Sequence, residues 1–121
     1  MTNIQTTRQP SPKFSDLVGK ILSDVKVNRD EIVFTVDETE SYIMYHGQDC
    51  CELVYIEDIC GDPQSLVGAP VAYADESSSE DDSDLLWTFY RIGTFKGSLV
   101  IRWCANLDTY YSVEVSFERR K

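Results

Sequence analysis

The chain has a single histidine, His46. Serine and cysteine nucleophiles ordinarily need a histidine base, so one such pair can be built here, His46 with Cys50 or Cys51 across a turn. No oxyanion-hole or orienting signature accompanies that pair, and we expect no catalytic residue from it. Also missing are a G-x-G-x-x-G run and a P-loop, the usual cradles for dinucleotides and nucleoside triphosphates. The cysteines are Cys50, Cys51, Cys60 and Cys104. With His46 and Asp49 they supply the right elements for zinc, but no C-x-x-C spacing occurs, so neither metal nor cofactor is expected. No apolar run approaches the ~18 residues of a membrane helix. The opening stretch MTNIQTTRQPSPK has no hydrophobic segment, so we expect no secretory signal there and a cytoplasmic location. In that setting the cysteines read as free thiols, and a bridge between adjacent Cys50 and Cys51 would distort the peptide between them. Positive charge is scarce: 11 Lys and Arg stand against 21 Asp and Glu, a net charge of −10. Such a surface repels nucleic acid and favours solubility or basic protein partners.

The composition that remains is globular. Apolar residues make up 42% of 121 positions, too many for disorder and enough for one domain with a modest core. The pattern is short alternating segments broken by turn residues, which predicts a mainly β (α+β) fold: antiparallel sheets from two β-meander units with one or two short helical turns. Residues 1–13 read as a flexible arm and 14–121 as a single antiparallel β domain. FSDLVGK (14–20) predicts a helical turn capped by Ser15 or Asp16 and ended by Gly19. Strands follow at about 20–28, at EIVFTVD and at SYIMYHG. After VYIEDI, Asp62 and Pro63 predict a second turn of helix, ended by Gly68. APVAYADE reads as strand, SSSEDDSD (77–84) as a solvated acidic loop, and LLWTFYRIGTFK as a long strand turning at Lys96 and Gly97. SLVIRWCA and YYSVEVSFER complete the set. In the last of these, Tyr111, Val113, Val115 and Phe117 alternate with polar residues.

DLVGKILSDV (16–25) and SLVGAPVAYA (65–74) share Leu-Val-Gly followed by an alternating strand. Two related units, each a helical turn plus a three-strand meander, explain the pattern. They can form two sheets face to face, or one sheet with the helical turns over an end. Between them lies the most unusual stretch, HGQDCCELVYIEDICGD (46–62), which reads as a central crossing segment that both halves pack against.

Binding is the chemistry left open. Trp87, Phe89, Tyr90, Arg91, Arg102, Trp103, Tyr110 and Tyr111 fall on three successive strands. Aromatics with a few arginines on a sheet suit a stacked base and its phosphate. The alternative is that Trp87, Phe89 and Trp103 are core. Arg102, opposite in facing to Ile101 and Trp103, either reaches solvent or meets an anion.

GQDCCELVYIEDI, the Leu-Val-Gly turn and the closing FKGSLVIRW…YYSVEVSF resemble a family of small phage and prophage proteins related to the Thoeris anti-defence sponges. The likeness runs from about residue 16 to 118, and Cys50-Cys51-Glu52 with the Tyr-Tyr-Ser strand are its most specific parts. The resemblance implies a phage-encoded protein that sequesters a nucleotide-derived immune signal, a cyclic ADP-ribose isomer or a cyclic oligonucleotide, without cleaving it. It also implies a homo-oligomer, dimer or hexamer. The implied ligand-binding positions are Ser98, Arg102, Asn106, Asp108, Tyr110 and Tyr111. In the sponge an aromatic follows the hairpin glycine and an asparagine precedes the Tyr-Tyr pair. Here Ser98 and Asp108 stand at those places. Ser98 offers no ring to stack and Asp108 repels phosphate, so either the ligand differs or the site is lost. A second function class stays open beside this one: an acidic protein that inhibits a host or defence enzyme by direct contact.

Overall fold

A computed structural model describes residues 12–28, 31–46, 54–80, 85–106 and 115–120. They form two antiparallel four-stranded sheets packed face to face. The first sheet joins β1 (Asp24–Val27), β2 (Glu31–Thr35), β3 (Ser41–Tyr45) and β8 (Ser116–Arg119), in that spatial order. The second has the order β4, β7, β6, β5, from Val54–Gly61, Gly97–Asn106, Leu85–Thr94 and Tyr73–Glu80. Of the two arrangements that the sequence allows, the chain adopts the sandwich.

Alternation decides which face is buried. In β2, Ile32 and Phe34 are fully buried while Glu31, Val33 and Thr35 are not. In β7, Leu99, Ile101 and Trp103 enter the core. The Trp103 indole N–H points at the Met44 sulfur of the opposite sheet, 3.3 Å away, so a side chain from each sheet meets in the core. Phe14 lies between the sheets, with ring centroids 5.9 Å from Phe34, 5.2 Å from Tyr90 and 5.7 Å from Phe117.

The internal repeat is structural. Each half begins with a single 3-10 turn, Phe14–Leu17 or Pro63–Leu66, and continues into a three-strand meander. Leu17 and Leu66, the leucines of the two Leu-Val-Gly copies, are completely buried. Gly19 and Gly68 both adopt a left-handed backbone, φ 89° and 90°, which only glycine enters without strain. Those glycines exchange equivalent hydrogen bonds: Gly19 N–H donates to the Val71 carbonyl at 2.8 Å and Gly68 N–H to that of Leu22 at 3.0 Å. Ile21 and Pro70, also equivalent positions, form an isolated bridge on the pseudo-two-fold axis between the halves. The fourth strand of each half is exchanged. β4 completes the second sheet by pairing with β7, and β8 completes the first by pairing with β3.

Local details differ from the sequence reading. The first turn is closed by Asp16, which reaches back to accept from the Lys13 N–H at 2.8 Å; neither Ser15 nor Asp16 stands at the cap position itself. Asp62 does cap the second turn, accepting from the Gln64 N–H at 3.0 Å, with Pro63 next. β1 begins only at Asp24, because Ile21 is drawn into the bridge with Pro70. The β6–β7 hairpin turns on Phe95 and Lys96, since Thr94 pairs with Gly97. The expected acidic loop is shorter at its start: Ser77–Glu80 continue β5, pairing with Phe89, Thr88, Trp87 and Leu86. Backbone pairing with the long β6 outweighs the weak strand preference of serine and glutamate at this edge. The rest of that loop, and the Cys50-Cys51 pair, lie outside the described residues.

Candidate functional site on the outward face of the second sheet

With Tyr90, Ile92, Ile101 and Trp103 turned inward, their neighbours in sequence face away from the core. The register sets Trp87 beside Cys104, Phe89 beside Arg102 and Arg91 beside Val100 on that outward face. β5 adds Tyr73, Asp75, Ser77 and Ser79 in matching register. Trp87 and Phe89, open to a core reading in the sequence, are therefore outward and only partly covered. Of the three aromatics weighed for the core, Trp103 occupies it; Tyr90, weighed for the binding face, is buried as well.

Arg102 is the centre of this face. Its guanidinium lies 5.1 Å from the Trp87 ring centroid, a cation–π contact. The carboxylates near it come from β4. Pairing between β4 and β7 slips between Ile56 and Asp58, so Glu57 is the extra residue of a bulge. A bulge re-aims side chains that strict alternation would send to opposite faces. Here it brings two successive acids to one arginine: Nη2 lies 3.8 Å from Glu57 Oε1 and 4.0 Å from Asp58 Oδ2. These are long contacts, beyond direct hydrogen-bonding distance. The Arg102 Nε is buried and has no hydrogen-bond partner among the described residues. At the other edge of the face, Arg91 Nε donates to Asp75 Oδ1 at 2.9 Å.

The face gathers indole, phenyl and phenol rings, two arginines and three carboxylates. A planar guanidinium over an indole ring, with donors not fully engaged, is suited to a phosphate, a carboxylate or a carbonyl group. The carboxylates outnumber the arginines, so an anion must displace Glu57 and Asp58 from Arg102 to be held.

Domain of unknown function (DUF7448) is the description of the family model that matches residues 15–117. The chain belongs to this family. The DUF7448 match runs from the first 3-10 turn into β8 and so takes in both sheets and the whole of this face. No curated protein and no solved structure matches the chain.

The sequence-predicted positions are spread along β7 and beyond it. Ser98 and Arg102 share the outward face but stand four residues apart, roughly 13 Å at the usual strand rise, with Ser98 next to the hairpin. They do not share one contact zone for a small group. Asn106 ends β7. Asp108, Tyr110 and Tyr111 lie outside the described residues. The acidic partners of Arg102 are Glu57 and Asp58, which the sequence reading missed. The only signal for them was the doubled acid in a strand otherwise free to alternate, Ile56-Glu57-Asp58-Ile59, and that is the pattern of a bulge. Among the described residues no group of three or more His, Cys, Asp or Glu side chains is placed to hold a metal ion, and no helix is long and apolar enough to cross a membrane.

Proposed function

We propose that this protein is a non-enzymatic binding protein whose recognition surface is the outward face of the second sheet. The observation that carries the reading is Arg102: a guanidinium over the Trp87 ring, with a buried Nε that has no hydrogen-bond partner among the described residues and with the Glu57 and Asp58 carboxylates at 3.8 and 4.0 Å. Following the likeness to the Thoeris anti-defence proteins, the ligand is a nucleotide-derived immune signal, a cyclic ADP-ribose isomer or cyclic oligonucleotide. Arg102 engages its phosphate and the neighbouring rings its base. The protein acts in the cytoplasm of an infected bacterium, as a homo-oligomer, and sequesters the signal without cleaving it.

One observation favours a second reading. Three carboxylates surround the two arginines, on a chain of net charge −10. Mixed charges with Trp, Tyr and Arg on a flat face also describe a protein-binding hot spot. On this reading the protein inhibits a defence enzyme by direct contact. Incubation with a panel of cyclic nucleotides and ADP-ribose isomers, removal of unbound ligand and heat denaturation separates the two. Intact ligand released from the denatured protein supports sequestration. Inhibition of the defence system with no ligand released overturns it in favour of direct contact.

A further inference from the structure

The first sheet also has an outward face, on the other side of the sandwich from Arg102. A trough of about 500 Å3 lies over its β1 and β2 strands. That volume is in the range of small-molecule sites, ~300–1,000 Å3. Register sets one row across it. Asp24 stands opposite Thr35 and Thr35 opposite Ser41, and beside Ser41 comes Arg120, whose backbone N–H donates to the Ser41 carbonyl at 2.7 Å. At the usual strand spacing the backbones of Asp24 and Arg120 are roughly 14 Å apart, with only the short Thr35 and Ser41 side chains between them. The opposite charges at the two ends do not pair with each other. Neither side chain has a hydrogen bond or ion pair among the described residues, and the Thr35 and Ser41 hydroxyls have none there either. Asp37, two residues past Thr35, also lines the trough. Its carboxylate accepts from the Thr39 hydroxyl at 2.8 Å and the Thr39 N–H at 2.7 Å, which hold it below its usual range and ionised near neutral pH.

The pseudo-two-fold provides an internal comparison. In the second sheet the equivalent row is Tyr73, Gly93 and Ser98, as the matching registers show. The Tyr73 ring lies across Gly93, where an added Cβ would meet it at 2.5 Å. One half of the fold thus fills this row with a ring. In the other half a short carboxylate, Asp24, stands where that ring would be, and the row stays open. Charge then narrows what the trough takes. Lys26 and Glu31 line it farther from Arg120 and offset each other. At the row, Asp24 and Asp37 stand against Arg120 alone. The complement is a molecule with one carboxylate and two cationic groups. An arginine holds a carboxylate through two parallel hydrogen bonds, and a carboxylate accepts charge-assisted bonds from an ammonium.

We propose that this trough binds a free basic amino acid, with its carboxylate on Arg120 and its two cationic groups toward Asp24 and Asp37. The site is independent of the Arg102 face. L-Lysine and cadaverine, which is lysine without the carboxylate, are the probes. Each is titrated into the full chain at low ionic strength, where exposed charges are least screened, and followed by NMR of the Thr35, Ser41 and Arg120 backbone amides. L-Lysine is expected to shift these signals saturably, and cadaverine to bind about tenfold more weakly or worse. Arg120→Gln should lower L-lysine affinity about tenfold and leave cadaverine binding no weaker. Arg120 is exposed, so the variant should keep its thermal midpoint. Asp24→Asn removes a cation partner and should weaken both probes, which keeps the test open should Arg120→Gln fail to fold. Absence of saturation, equal binding of the two probes to the wild type, or affinities for L-lysine unchanged in both variants would overturn the proposal.

Discussion

Replacing Phe14 by alanine tests how the sandwich is held together, because this ring closes the core from a short 3-10 turn and not from a strand. Phe14 is 2% exposed and touches Phe34 of the first sheet, Tyr90 of the second and Phe117 of β8. Truncating a buried phenylalanine costs about 3–5 kcal/mol. Phe14 borders a surface cleft that Glu76 and Phe117 also line, so its hole would open to water, which places the expectation near ~3 kcal/mol, the lower end of that range. A domain of this size has a total stability of about 6–18 kcal/mol at the usual value per residue. The variant should therefore stay folded at room temperature but melt roughly 10 °C lower. Phe95→Ala is the comparison. Phe95 is 85% exposed at the hairpin tip, and its loss should change stability by no more than about 0.5 kcal/mol. Urea titration of both variants gives the two differences. Equal effects at the two positions, or less than ~1 kcal/mol at Phe14, would refute the reasoning that Phe14 pins the sheets together.

Gly61→Ala should disrupt the β4–β7 pairing: its φ is 112° and an added Cβ would sit 2.3 Å from the Ser98 carbonyl oxygen, so a loss of about 2 kcal/mol or more is expected by thermal melting. The Glu40 carboxylate is held below its usual range by hydrogen bonds from Lys20 first and Tyr42 second. A depressed folded value means that this stabilisation is present above the unfolded pKa and is lost as pH falls through the folded one. Glu40→Gln should thus cost about 1 kcal/mol near pH 7 and nothing in strong acid, by urea midpoints across pH; a pH-independent cost would contradict the sign. Replacing Ser77–Glu80 with four glycines should cost about 2–4 kcal/mol at the usual penalty per strand glycine, whereas no loss would mean that these residues behave as the loop their composition suggests.

The β class, the duplicated Leu-Val-Gly unit and the Asp62-Pro63 turn were legible because each rests on local chemistry. Alternation exposes one face, a left-handed glycine ends a turn, and a carboxylate caps a 3-10 start. The exchange of β4 and β8 between the halves was not legible, because it depends on pairings between residues far apart in sequence. Serine and acid in Ser77–Glu80 argued for a loop on local grounds, and the neighbouring long strand overrode them. Arg102 was placed on the outward face by counting from Ile101 and Trp103. Its acidic neighbours were hidden by a bulge, which breaks the period-two rule by which faces are assigned. Trp87 and Trp103 show the limit of composition: the same residue type, on adjacent strands, is divided between surface and core by a register that depends on the Phe95–Lys96 hairpin.

The most direct measurement compares ligand release from the wild type, Arg102→Lys and Arg102→Ala after incubation with the panel of cyclic nucleotides and ADP-ribose isomers. Lysine keeps the charge but cannot reproduce the planar fork over Trp87. The account predicts that the wild type releases an intact ligand on heating, that Arg102→Ala releases none, and that Arg102→Lys retains about a tenth or less. Capture by Arg102→Ala equal to that of the wild type would contradict it.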